Sequence, residues 1–210
     1  TCTATATDED GGSDFNTASA TVTNTDPRLG PVTVAPDRGQ VGDTLTCTAT
    51  ASDADGGSPT IAYEWSTGVT GDEYTIMASD DPGSTITCTA TATDTDGGSD
   101  TNAANATVVN TNPDLEAVTV SPATATVGDT LTCTATATDA DGGSPTIAYE
   151  WSTGVTGSDY TIAESDDPDD TITCTATATD EDGGSDSDTA SATVTNTEPV
   201  MTPVTVSPDT

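Results

Sequence analysis

The phrase TCTATATDADGGSPTIAYEW at residues 132–151 occurs again at 46–65 with a single change, Ser52 for Thr138. Shorter relatives begin at Thr1, Thr87 and Thr173. Cys47 returns as Cys133, Cys88 as Cys174 and Trp65 as Trp151, each 86 residues further on. Pro27, Pro113 and Pro199, each closing an Asn-Thr-x-Pro phrase, keep the same step. A repeat of this length confines the chain to an array of like domains, each built by one sequence rule. The expected organisation is a repeat at 27–112 and another at 113–198. Residues 1–26 are then the C-terminal strands of a preceding repeat, and 199–210 the first strand of a following one. On that reading the 210 residues are a window on a longer polypeptide, with no signal peptide and no apolar run long enough to cross a bilayer.

Within each repeat the apolar positions alternate. Leu45, Cys47, Ala49 and Ala51 fall on one face of TLTCTATAS, with threonines on the other. Ile86, Cys88, Ala90 and Ala92 do the same in TITCTATAT, as do Ile61, Tyr63 and Trp65, then Tyr74 and Ile76, then Ala104, Ala106 and Val108. Period-two alternation, broken by Gly-, Pro- and Asp-rich turns every ten or so residues, predicts an all-β sandwich. Threonine is the commonest residue, and its β-branch favours a pleated strand with one solvated face.

The inward residues are small, so the core buries little apolar area, each Å2 contributing about 25 cal/mol. Domains of this size are already short of core. A crosslink offsets the deficit: a Cys47–Cys88 bond would close a loop of about forty residues, which the chain-entropy model values at roughly 4 kcal/mol. The expected pairs are Cys47–Cys88 and Cys133–Cys174, with Cys2 joined to a residue outside the window. The alternative is free cysteines acting as small core residues. Paired cysteines imply an oxidising, extracytoplasmic location.

Cys47, Trp65 and Cys88 together resemble the immunoglobulin fold, in which a buried Trp on the third strand packs on a disulfide joining the second and sixth. The resemblance implies a seven-strand sandwich with Trp65 and Trp151 in the core against those disulfides. One departure is plain: the Tyr expected two residues before the second Cys is Ile86, and Ile172 in the next repeat. The run SDADGGSPTIAYEW is similar to the D-x-D-G-x-x-x-x-Y-x-W stretch of bacterial PKD-like and related Ig-like repeats, though the W-D-F-G-D-G turn of PKD domains is absent. This second resemblance implies an extracellular spacer or adhesive module of a multidomain surface protein.

Charge excludes several functions. The chain has 36 acidic residues against two Arg, no Lys and no His, a formal charge of −34. Nucleic-acid binding needs cations to displace phosphate counterions, and anionic membranes need them equally. Without His or Lys the usual Ser-His, Cys-His and Ser-Lys nucleophile pairs cannot be assembled. Carboxylate pairs remain, but they recur in every repeat in Gly-rich turns, so no catalytic role is expected.

In the Ig topology the loop after the second strand (Asp53, Asp55; Asp139, Asp141) and the loop after the sixth (Asp94, Asp96, Asp100; Asp180, Asp182) share one end of a sandwich. No cofactor is required by the pattern. Clustered carboxylates on flexible turns suit Ca2+, and the alternative is that Asp-Gly-Gly simply makes tight, solvated turns. Asp139, Asp141, Asp180 and Asp182 are expected to gather near residues 110–114 and the acidic turn at 80–81. Ranks of outward Thr resemble ice-binding arrays, but the second and sixth strands belong to different sheets, so ordinary β-propensity or O-glycosylation accounts for them better. The sequon Asn105-Ala106-Thr107 has Ser19 and Ser191 in place of Asn105 and is not part of the repeat.

The function expected from the sequence is therefore structural: a non-catalytic repeat of a long, acidic, threonine-rich extracellular filament or cell-surface stalk. Its partners would be neighbouring repeats of the same chain and like chains in a filament. The competing expectation is an adhesin whose repeats or distal tip bind carbohydrate or another cell.

Overall fold

The computed structural model describes residues 1–206, and every regular element among them is a strand. A hairpin comes first, β1 (Cys2–Thr7) with β2 (Ser13–Ala18). The first repeat then supplies β3 (Arg28–Leu29), β4 (Thr33–Ala35), β5 (Arg38–Gly39), β6 (Thr44–Thr48), β7 (Ala51–Ser52), β8 (Thr60–Trp65), β9 (Glu73–Thr75), β10 (Thr85–Thr93) and β11 (Ser99–Val108). The second follows the same order: β12 (Asp114–Leu115), β13 (Thr119–Ser121), β14 (Thr124–Ala125), β15 (Thr130–Thr134), β16 (Ala137–Thr138), β17 (Thr146–Trp151), β18 (Asp159–Thr161), β19 (Thr171–Thr179) and β20 (Ser185–Val194).

The second repeat displays the logic. One sheet runs β13-β15-β18 and the other β14-β20-β19-β17, with β12 and β16 as a short paired extension. Residues 113–123 start beside β15 and β16, then cross at the Ser121–Pro122 cis peptide so that β14 runs parallel to β20 on the opposite sheet. This is an Ig-like sandwich, and the two repeats make two of them, each with its own disulfide. The Cys47–Cys88 and Cys133–Cys174 bonds each span 41 residues of sequence with Cα atoms 6.4 Å apart. Cys2 is free and exposed.

The core follows from the alternation. Ile172, Cys174, Ala176 and Ala178 of β19 are buried beside Leu131 and Cys133 of β15 and Ala192 and Val194 of β20. Register sets Trp151 opposite Cys174, so the indole lies beside the disulfide, 1 % exposed, with Nε1–H donating to the Gly157 carbonyl at 2.9 Å. Tyr160 packs against that indole with ring centroids 5.6 Å apart. A large aromatic thus fills volume that the alanines leave open.

One expectation needs correction. The strand carrying Cys133 is not continuous to Ala137: it breaks after Thr134 and resumes at Ala137. The cause is local. The Ala135 N–H donates to the Tyr149 hydroxyl at 3.2 Å, and the Thr136 carbonyl turns to accept from Glu116 N–H. Ala49 and Tyr63 repeat the first of these bonds in the first repeat. Of residues 199–210, expected to open a following repeat, 199–206 carry no strand and 207–210 lie outside the described residues.

The missing tyrosine corner has a substitute that the sequence reading did not foresee. Tyr160, on the strand before the turn rather than after it, donates its hydroxyl to the Asp166 carboxylate at 2.6 Å. The same Oδ2 accepts from Ala163 N–H, closing the turn, and Asp166 is 8 % exposed. Burial raises the Tyr160 hydroxyl above its ordinary pKa, and the neighbouring Asp166 carboxylate adds to the effect. In the first repeat Asp80 caps the equivalent turn through Met77 N–H. Tyr160→Phe removes the donor and leaves a nearly buried carboxylate under-satisfied. It is expected to cost about 1–3 kcal/mol in urea unfolding, with Tyr149→Phe, at a half-buried site, as the milder comparison.

Candidate functional site

The recurring polar feature is the contact between the acidic loops and the Asn-Thr-x-Pro segment that enters each repeat. Asp180 opens the β19–β20 turn. Its Oδ1 accepts from the N–H groups of Asp182 (3.0 Å) and Gly184 (2.7 Å), which folds the Asp-Glu-Asp-Gly-Gly stretch back on itself. Its Oδ2 accepts from the Asn110 side-chain amide at 2.9 Å. Asp139 makes the same kind of turn in the β16–β17 loop, accepting from Asp141 N–H. Both oxygens of Asp141 then take Thr111: Oδ2 from its N–H at 2.5 Å, Oδ1 from its hydroxyl at 2.9 Å. A third carboxylate, Asp186 on β20, accepts from Leu115 N–H at 3.1 Å.

The first repeat reproduces these contacts residue for residue. Asn24 donates to Asp94, Thr25 to both oxygens of Asp55, and Leu29 N–H to Asp100. Asp53 and Asp94 close their own turns on Asp55, Asp96 and Gly98. Asp96 and Asp182 are exposed and enter their turns through their own N–H groups. Pro27 and Leu29, and likewise Pro113 and Leu115, are buried, so each segment is held by an apolar anchor as well as by hydrogen bonds. The third copy of the phrase, residues 196–199, is exposed throughout, and Met201, counterpart of Leu115, is 82 % exposed.

Glycine has two separate jobs here. Gly183 holds φ +91°, which the turn requires. Gly184 has no such φ; its reason is space. A Cβ there would collide first with Asp180 Oδ2 of the same turn and then stand 2.5 Å from Asn110 Nδ2 and 2.7 Å from Asn112 Oδ1; at Gly98 it would stand 2.5 Å from Asp94 Oδ2, 2.7 Å from Asp26 Oδ1 and 2.8 Å from Asn24 Nδ2. The second glycine of this Asp-Gly-Gly clears space for the turn's own carboxylate and for the incoming chain.

Electrostatics agree with the geometry. The bond from Asn110 is the chief cause that holds the Asp180 carboxyl below its ordinary value, against partial desolvation and with help from the Gly184, Asp182 and Gly183 backbone. Asn24 does the same for Asp94. Asp139, Asp141, Asp180 and Asp182 line a common polar cleft with Asp81 and Pro82. Among the described residues, however, no group of three or more His, Cys, Asp or Glu is placed to hold a metal ion. The donor roles of Asn110 and Thr111 and the seat at Gly184 were not assigned from sequence, whereas Asp100, the counterpart of Asp186, was placed in the acidic cluster. The available signal was that Asn-Thr-x-Pro, Asp-Gly-Gly and Ser-Asp recur with one step.

The fold and this site define tandem Ig-like β-sandwich domains. Comparison with protein-family models gives no match, and comparison with curated proteins gives none. Among solved structures the chain is similar to the three N-terminal domains of the bacteriophage RB49 highly immunogenic outer capsid protein. That match has 16% identity, a TM-score of 0.36, and covers 82% of this chain and 71% of the other. It is similar to the insect immune protein hemolin, at 14% identity and TM-score 0.44, over 80% of this chain and 46% of that one. It is also similar to a 1.5-MDa bacterial ice-binding adhesin, at 17% identity and TM-score 0.34, over 93% and 74%. At these identities the likeness is one of fold.

Gly184→Ala should unseat the Asn110–Asp180 contact while leaving the sandwich intact, because the atoms in the way are the ends of side chains. The check is 15N relaxation: backbone order at residues 110–112 should fall to loop-like values, with β19 and β20 unchanged.

Proposed function

We propose that this chain is a stretch of structural repeats from a long extracellular filament or surface stalk, with boundaries at 27–112 and 113–198 and no catalytic role. The observation that carries the reading is the docking of each entering segment onto its own repeat through the same donors and acceptors at an 86-residue step. A chain of beads on free linkers gains nothing from such docking. A chain that must transmit position or load does, because the length of free linker between repeats shrinks. Disulfide-bonded Ig-like domains suit a secreted or surface protein. Among the described residues no helix is long and apolar enough to cross a membrane. The hairpin at 1–26 has the place of β10 and β11 in the repeat, so we assign it to a preceding domain.

In this reading the stiffness comes from hydrogen bonds to the segment rather than from a cation. The bonds that support it run from Thr111 to both oxygens of Asp141 and from Asn110 to Asp180, which also accepts from its own turn. Small-angle scattering on the 210-residue chain tests this directly. The maximum dimension should be the same in calcium and in chelator, and should become broadly distributed in the combined variant Asn110→Ala, Thr111→Ala. A dimension that collapses on chelation would return the loops to calcium. One that ignores the linker variant would remove the basis for a stiff array.

A further inference from the structure

Five Asp-Gly bonds punctuate the chain: Asp10-Gly11, Asp55-Gly56, Asp96-Gly97, Asp141-Gly142 and Asp182-Gly183. Three of them fall in the turns that join β1 to β2, β10 to β11 and β19 to β20, and two in the β7–β8 and β16–β17 loops. The two groups differ in what holds the aspartate side chain. Asp141 is half-buried, and Thr111 fixes both of its oxygens, Oδ2 from the backbone N–H and Oδ1 from the hydroxyl. Thr25 fixes both oxygens of Asp55 in the same way. Asp96 and Asp182 are exposed, and among the described residues their carboxyl groups have no hydrogen-bond partner; each is tied to its turn through its backbone N–H. Asp10 repeats that arrangement.

We propose that Asp10-Gly11, Asp96-Gly97 and Asp182-Gly183 are sites of spontaneous isoaspartate formation, and that the segment entering each repeat shields Asp55-Gly56 and Asp141-Gly142 from the same change. The inference rests on the docking contacts and not on the filament reading.

The reaction needs no partner but water. At Asp182 the Gly183 nitrogen attacks Cγ. The N–Cγ bond forms, the Cγ–OH bond breaks, and the amide hydrogen leaves with the hydroxyl as water, closing a succinimide ring. Water then reopens the ring at one of its two carbonyls. Cleavage of N–Cγ restores aspartate. Cleavage between the nitrogen and the old backbone carbonyl frees that carbonyl as a carboxylate and routes the main chain through Cβ and Cγ. Glycine in the second position favours closure, because it has no Cβ to crowd the attacking nitrogen and its backbone turns freely.

Closure requires a carboxyl group able to swing Cγ onto the next nitrogen. The nitrogens do not separate the two groups of sites. Gly142 N–H reaches the Asp139 carbonyl at 3.3 Å, Gly11 N–H reaches that of Asp8 at the same distance, and Gly183 N–H is among the donors to Asp180. Exposure does not separate them either, since Asp55 is exposed. The carboxyl group does. At Asp182 it turns with no bond to break. At Asp141 it must first leave both bonds from Thr111, whose segment is anchored on either side by the Asn110–Asp180 bond and the buried Pro113. Conversion at Asp182 adds one main-chain carbon between the two amides that Asp180 Oδ1 gathers, so it also disturbs the turn on which Asn110 docks.

Peptide mapping of the whole 210-residue chain after ageing in warm, mildly acidic buffer provides the test. Isoaspartate is read by mass spectrometry, from its fragment ions and from resistance to an endoproteinase that cleaves before Asp. Each site is scaled to a free peptide of its own local sequence, which gives the unshielded rate. Scaled conversion at Asp96 and Asp182 should exceed that at Asp55 and Asp141 at least about tenfold, the factor that about 1.4 kcal/mol supplies and that one hydrogen bond to a charged group is worth. The combined variant Asn110→Ala, Thr111→Ala should raise conversion at Asp141 towards that at Asp182 and leave Asp55 protected. Equal scaled conversion at the four sites, or none at any of them while the free peptides convert, would overturn the proposal. So would an Asp141 that stays as protected in the linker variant as in the wild-type chain.

Discussion

The covalent bond between facing sheets is the constraint on which everything else in this molecule rests. Beside Leu131, Ile162 and Ile172, the interior around Cys133 and Cys174 is lined by the alanines Ala125, Ala176, Ala178 and Ala192. Each such side chain removes little area from water, and the hydrophobic return per residue is small. The disulfide restricts the unfolded chain instead, over a loop of 41 residues. Two large aromatic side chains per repeat complete the interior. Trp151, placed opposite Cys174 by strand register, supplies the bulk, and Tyr160 extends it toward the turn, where Asp166 receives its hydroxyl. A chain written mostly in Thr, Ala, Asp, Gly and Ser holds one fold because these few positions are not written in them.

That economy leaves the surface free to be acidic, and the acidity is put to structural use. With a formal charge of −34 the repeats carry heavy self-repulsion. With no Lys and only two Arg in the chain, the loop carboxylates of the second repeat are satisfied by neutral donors: their own turn amides and the Asn, Thr and Leu groups of the entering segment. The same carboxylate thus shapes its turn and seats the neighbouring stretch of chain. Gly184 makes this possible by leaving out a side chain where the segment lies.

Much of this was legible in the residues. The alternation around Cys88 and Cys174 placed those strands, and the cysteine spacing placed the crosslinks, because period-two burial and loop closure are local or nearly local rules. The break between Thr134 and Ala137 was hidden, since its cause is a hydroxyl on Tyr149 from another strand. The Tyr160–Asp166 bond was hidden for a related reason: the familiar corner places its tyrosine two residues before the second Cys, and here that position is Ile172 while the phenol arrives from the strand before. At the acidic loops, the sequence put Asp141 and Asp180 beside residues 110–114 but could not choose among acceptors. A carboxylate that holds a cation and one that holds an amide have the same spelling. In the structure Asp180 receives the Asn110 amide and Asp141 the Thr111 hydroxyl.

The account stands on the claim that the crosslink, not the apolar core, carries the stability of each repeat. Urea unfolding of the 210-residue chain, oxidised and then fully reduced under otherwise equal conditions, measures it most directly. Reduction should lower the stability of each repeat by roughly 4 kcal/mol, enough to leave the reduced chain largely unfolded at 37 °C. A reduced chain that still unfolds cooperatively, within about 1 kcal/mol of the oxidised one and so far below that loop-closure value, would show that the small core suffices and would contradict the account.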